Sequence, residues 1–435
     1  MKGSPRAGLT GATIGFFVGF AAVALFGPTA ARFKDAMQLS PMAVGFLVAM
    51  PALSGSLLRI PFSAWVDSTG GRKPFLVLLG LSILGMLGVA TIVVTRYPDR
   101  LTPDLYPVLL FLGLLCGSGI ATFSVGISQV AYWFPQRGQG RALAIYAGVG
   151  NLAPGLFSLL LPIALVSLGL AWSYLAWLAF LVAGFALYAV FGRNAWYFQL
   201  RQAGMAADAA RERATAEGQE LFPAGTTLQT LWLSARAWQT WALVAIYFST
   251  FGGFVALTAW LPTYWTSAFG VTALQAGFLT AAYSISASLV RIAGGVMSDK
   301  LQEGGANTSI LGLFVMLSGA ILMTVATDFE LAVPGQMLLA IGMGLCNAAV
   351  FKMVAQAVPH AIGGASGWVG GVGAFGGFVI PPILAFAVGQ IGLRGYGIGF
   401  ILFVFLALMS LGMTWVLKYG ATSTAIRARL AASAP

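Results

Sequence analysis

Arg59-Ile-Pro-Phe-Ser-Ala-Trp-Val-Asp67 and Arg291-Ile-Ala-Gly-Gly-Val-Met-Ser-Asp299 recur in the two halves of the chain, each with an Arg eight positions before an Asp. Both belong to apolar runs long enough to cross a bilayer, whose core of about 30 Å needs about 20 helical residues. Two further pairs keep the same order. Ala147-Gly-Val-Gly-Asn151 corresponds to Gly370-Gly-Val-Gly-Ala374, and Trp133-Phe-Pro135 to Ala357-Val-Pro359. Parallel repeats of this kind imply two bundles related by an axis along the membrane normal, with a site between them and rocking as the motion. The expected fold is an all-α membrane protein with twelve transmembrane helices in two pseudo-symmetric six-helix bundles.

The composition agrees with this. Hydrophobic residues make up 59% of the chain and charged ones only 8%, against about 25% charged in soluble domains. Twelve apolar runs follow one another, among them 141 to 167, 170 to 192 and 393 to 418, too long and continuous for the strands of a membrane barrel, which alternate over about ten residues. The first run lacks a short apolar core followed by a small-residue cleavage site, so it is expected to be a retained span. The only long polar stretch, 193–236, separates a bundle at 1–192 from one at 237–418, and 419–435 forms a tail.

With this topology fifteen loop Lys and Arg fall on the side of the N-terminus and five on the other, which puts both termini in the cytoplasm and the chain in the cytoplasmic membrane. The net charge of +11 then reflects topology and contact with anionic membrane lipid. Nucleic acid is excluded as a partner because the basic residues are scattered over loops. Cys116 and Cys346 both lie inside spans, so neither a disulfide framework nor a metal site is expected. An enzyme would need a nucleophile, a metal cluster or an acid–base pair, and the spans supply none. No cofactor is implied.

All twelve Asp and Glu fall in loops or at span ends. Arg59 and Arg291 lie deep, roughly 12 Å in from the cytoplasmic surface at 1.5 Å per residue. An Arg at that depth faces a partner or a wet cavity. With no buried carboxylate available, the partner is an anion from outside, or else each Arg snorkels or bonds to helix carbonyls. The planar fork of Arg suits a planar oxyanion such as nitrate, nitrite or a carboxylate. The 56 glycines are nearly twice the usual share of about 7% and gather in the fifth and eleventh spans, where they let helices approach closely. Asn151 offers amide hydrogens to an oxyanion or a bond to a neighbouring helix. Tyr247 and Phe251, one turn apart, place a hydroxyl and a ring beside the site or pack the core. Lys352 and His360, in or near the loop after the tenth span, serve a cytoplasmic gate or are simply solvated.

Together these residues resemble the nitrate/nitrite porter family of the major facilitator superfamily over nearly the whole chain. Gly71-Arg-Lys73 after Asp67 is similar to the superfamily's loop motif between spans two and three. The stretch from Gly117 to Asn151 and its counterpart from Gly363 to Gly377 resemble the family's two signatures, and Ile246 to Phe254 its seventh span. The resemblance implies that Arg59 and Arg291 hold the anion, that the rings of Phe123 and Phe251 pack above and below it, and that Tyr247 and Asn151 complete the site. Ala374 stands where the repeat would place a second Asn, so the site need not be symmetric. The implied function is transport of nitrate and nitrite by alternating access, as a monomer. Exchange is the expected mode, since no Asp, Glu or His lies inside a span to relay protons; proton symport and carriage of small carboxylates are the alternatives.

Overall fold

Lipid offers backbone amides no hydrogen-bond partners, so a chain this apolar satisfies them within helices. The computed structural model describes residues 1–223, 227–301, 303–358 and 361–432, and no strand occurs among them. Eleven helical stretches among these residues are long and apolar enough to cross a bilayer. One of them, Arg141–Phe191, has 51 residues and at 1.5 Å per residue would run roughly 77 Å, more than twice the hydrocarbon core. It turns back at Gly169, where φ is 74° and ψ 176°, a conformation that glycine adopts without strain. The stretch is therefore two spans, divided where the sequence places the boundary.

Spans 1 to 4 are thus Pro5–Met37, Pro41–Thr69, Arg72–Arg96 and Pro103–Trp133, and spans 5 and 6 share Arg141–Phe191. Spans 7 to 12 are Trp238–Phe269, Ala273–Lys300, Gly304–Val325, Phe329–Val354, Gly363–Ile398 and Ile401–Tyr419. They form the two six-helix bundles expected from the repeat. Local chemistry sets several starts: Ser4 and Ser40 cap helices that begin with Pro5 and Pro41, and Thr272 forms a capping box with Gln275. The last span begins at Ile401 rather than near 393. Gly392, at φ 63°, and Gly395, Gly397 and Gly399 hold the chain in short turns before the long helix starts, because glycine loses the most freedom on entering a helix. Short helices Trp196–Gln202, Ala207–Ala216 and Thr227–Ala235 lie between spans 6 and 7.

The two bundles meet most tightly on the face remote from the termini. There Gly27 lies against the Ala259 carbonyl, Gly45 against Ala385 and Pro381, and Gly277 against Ser158 and Pro162, each too close to admit a Cβ without a shift. Residues 20–30 of span 1 and 251–265 of span 7 are all buried, whereas Ser63, Ser128 and Phe351, towards the face of the termini, keep partial exposure. Lys352, expected in or near a loop, lies within the helix Phe329–Ala357. Its Nζ pairs with Asp299 at 2.8 Å and also donates to the Ser298 carbonyl. Both partners belong to the same bundle, so the pair ties span 8 to span 10 and is no gate between bundles. His360 lies outside the described residues.

Candidate functional site

Arg59 begins the second helical segment of span 2, Arg59–Thr69, just after the preceding helix ends at Leu57. The side chain is 1% exposed. Its Nε donates to the Gly55 carbonyl at 3.0 Å, and its Nη1 crosses to the other bundle to donate to the Gly370 carbonyl at 2.9 Å. Its Nη2 has no partner. Arg291, on span 8, is half-buried and leaves Nη1 unpartnered. Among the described residues no carboxylate pairs with either one; the ion pairs Lys352–Asp299 and Lys418–Glu303 lie elsewhere.

Two rings fix the arginines. The Arg59 Cζ lies 4.9 Å from the Phe123 centroid and 5.1 Å from that of Phe251, and the Arg291 Cζ 5.8 and 5.7 Å from the same two. The ring centroids are themselves 6.0 Å apart with planes inclined at 26°. This triangulation keeps the guanidinium carbons within about 9 Å of each other, where two unit charges repel by about 2 kcal/mol at an effective dielectric constant of about 20.

Further residues hold the rings. Tyr247 stacks on Phe251 at 4.8 Å with planes 4° apart, and the Phe351 ring meets Tyr247 edge-on at 5.2 Å. The Tyr247 hydroxyl, close to both guanidinium groups, has no hydrogen-bond partner of good geometry. A π-helical turn at Phe248–Gly252 separates the two helices of span 7, a feature often found at functional sites. Tyr146 donates to the Thr122 and Phe123 carbonyls, fixing the backbone under the Phe123 ring.

Asn151 occupies the break between helices Gln136–Gly150 and Leu152–Phe191. Its carbonyl accepts from Ser288, three residues before Arg291, at 3.0 Å, and its buried Oδ1 is unpartnered. Glycine makes the close packing here possible. A Cβ at Gly150 would fall 1.8 Å from the Phe16 ring, and one at Gly373 would fall 2.9 Å from the Tyr247 Cβ.

The structure thus brings Arg59, Arg291, Phe123, Phe251 and Tyr247 around one space, with Asn151 joined to the same layer through Ser288. The sequence did not single out Phe16, Tyr146, Ser288 or the Gly370 carbonyl. Two of them lay in stretches already noted, Tyr146 between Gly117 and Asn151 and Gly370 in the Gly-rich eleventh span. No three His, Cys, Asp or Glu side chains come together among the described residues to hold a metal.

A buried cationic site between two six-helix bundles is the arrangement of a transporter rather than a channel or an enzyme. Residues 12–379, and again 265–433, match the model of the Major Facilitator Superfamily, and the chain belongs to that superfamily of multi-pass membrane transporters. It is 28% identical over 426 residues to the probable nitrate/nitrite antiporter NarK1 of Thermus thermophilus, covering 92% of this chain and 89% of that one. The probable nitrate/nitrite transporter NarK2 of Mycobacterium tuberculosis is 28% identical over 394 residues, 90% of this chain and 91% of the other. Among solved structures, the xylose transporter XylE from E. coli in a partially occluded inward open conformation superposes with a TM-score of 0.70 over 96% of this chain and 99% of that one. At 14% identity the likeness concerns the fold alone.

Proposed function

We propose that the protein moves nitrate and nitrite across the cytoplasmic membrane by alternating access, exchanging one for the other. The observation that carries this is a pair of arginines between stacked rings, with Arg59 Nη2 and Arg291 Nη1 unpartnered and no carboxylate beside them. Desolvated cations with spare donors are stabilised by an anion that reaches both.

The rings select for flatness. A planar ion between two faces needs roughly 3.5 Å of contact distance on each side, so rings 6.0 Å apart admit it after parting by about 1 Å. A tetrahedral sulfate or phosphate needs a much wider opening. The names of the two relatives agree with a planar nitrogen oxyanion.

The mode follows from charge. With no anion between them, two facing arginines oppose closure of the bundles, and an anion offsets that repulsion, so the loaded carrier is the one that changes sides. The bundles 1–192 and 237–418 are then the rocking units, joined by 193–236, with both termini and the tail 419–435 in the cytoplasm. Close packing remote from the termini suits a form that opens on the side of the termini. The carrier is read as a monomer in the lipid bilayer, with the site between its own two bundles. Counterflow of labelled nitrate in proteoliposomes, with nitrite, formate, acetate and oxalate as competitors, tests the substrate. Exchange driven by acetate or oxalate as well as by nitrate would turn the assignment to a small-carboxylate carrier.

A further inference from the structure

Asn347, on span 10, is 3% exposed; its Oδ1 has no hydrogen-bond partner and, among the described residues, no acceptor holds its Nδ2, so its amide hydrogens are free to donate. Buried amides in a membrane normally find partners, since an unpaired one is costly and marks a functional position. Two sets of contacts locate it. Gly344 lies against Ala287 and Val290, and the Leu345 carbonyl against Gly294, so this part of span 10 packs along span 8 at the depth of Arg291. On the next face round, Met343 accepts the Tyr283 hydroxyl at 3.1 Å and lies against Gly253, while Phe351 meets the Tyr247 ring. Asn347 is one helical turn from each of these two residues. It therefore faces the gap between spans 7 and 8, where Tyr247, Phe251 and Arg291 meet.

The internal repeat points the same way independently. Asn347 precedes Pro359 by the twelve residues that separate Phe123 from Pro135. It is the counterpart of the residue whose ring touches both arginines. One bundle brings a ring to this position and the other an amide.

We propose that Asn347 is a specificity-determining residue of the anion site, donating its amide hydrogens to the oxygen of nitrate that the two arginine forks leave uncovered. This rests on the nitrate/nitrite assignment above. Nitrate has three oxygens and nitrite two, so a donor for the third oxygen distinguishes them. Losing it weakens nitrate and largely spares nitrite.

The test uses the purified full chain and the variants Asn347→Leu, which is nearly isosteric, and Asn347→Ala, which fits any space the Asn leaves. Melting temperature is measured alone and in a titration with sodium nitrate or sodium nitrite, and exchange is measured in proteoliposomes. Both variants are expected to melt at or above the wild-type temperature, because an unpaired buried amide is gone. Nitrate affinity should fall about tenfold or more, as for loss of a hydrogen bond to a charged partner, with nitrite changed by less than about threefold. Equal weakening of both anions, or unchanged nitrate affinity in both variants, overturns the proposal. A lowered melting temperature with unchanged nitrate affinity assigns Asn347 to packing and overturns it too. If neither anion stabilises the wild type, the nitrate/nitrite assignment fails and the role of Asn347 with it.

Discussion

Arg59→Lys keeps the charge and removes the fork. In the native side chain Nε is held by the Gly55 carbonyl at 3.0 Å and Nη1 by the Gly370 carbonyl at 2.9 Å, which leaves Nη2 for an anion. A lysine ammonium at this position has a single nitrogen to divide between the Gly370 carbonyl and the anion. It still lies over Phe123 and Phe251, so part of the cation–π attraction survives. The net loss is one charge-assisted hydrogen bond, about 1.5 to 3 kcal/mol, or about 10- to 150-fold in kcat/KM. Arg291→Lys should lose a similar factor. The double variant should lose less than the product, because both arginines act on one ligand. Nitrate counterflow in proteoliposomes reads the effect, with expression level and melting temperature as controls for folding. Counterflow of Arg59→Lys within about threefold of wild type would leave only a general electrostatic role for the side chain and refute the fork.

Five other outcomes are expected. Gly150→Ala puts a Cβ 1.8 Å from the Phe16 ring and should destabilise by about 1 to 3 kcal/mol through overpacking. Gly389→Ala, with nothing within 4 Å, should leave melting temperature and counterflow unchanged. Gly169→Ala meets no atom but must adopt φ 74° with ψ 176°, a region only glycine enters readily, at a cost of about 1 to 3 kcal/mol that a lowered melting temperature would show. Lys352→Met breaks a pair whose side chains are 32% and 79% exposed, so stability should move by less than about 1 kcal/mol; abolished transport with normal folding would make the pair a gate after all. Labelled nitrate should enter proteoliposomes quickly only with nitrite inside, and rapid entry into empty vesicles under a pH gradient alone would replace exchange with proton symport.

What the sequence made legible follows from how rare each signal is. An Arg deep in an apolar run is an expensive exception, so Arg59 and Arg291 identified themselves, and their common spacing to Asp67 and Asp299 revealed the repeat. The apolar runs place the boundary between spans 5 and 6 at 168–169, and the backbone turns at Gly169. Aromatic rings carry no such signal: with 31 Phe in the chain, Phe123 emerged only through the family likeness. Its partner Asn347 needed the repeat to be followed twelve residues back from Pro359. The start of span 12 was missed because Leu393, Tyr396, Ile398 and Phe400 carry the apolar run back past Arg394 into the turns at 392–399, where the backbone departs from the long helix. Backbone acceptors are the hardest to foresee, since every residue carries one. Carbonyl bonding and anion binding had stood as alternatives for the buried arginines. A guanidinium has five N–H donors in a fixed fork, and Arg59 gives Nε and Nη1 to carbonyls while Nη2 stays unpaired. The carbonyl of Gly370 therefore orients the fork across the bundle interface, and the bond that looked like a substitute for an anion is what aims the remaining donors at one.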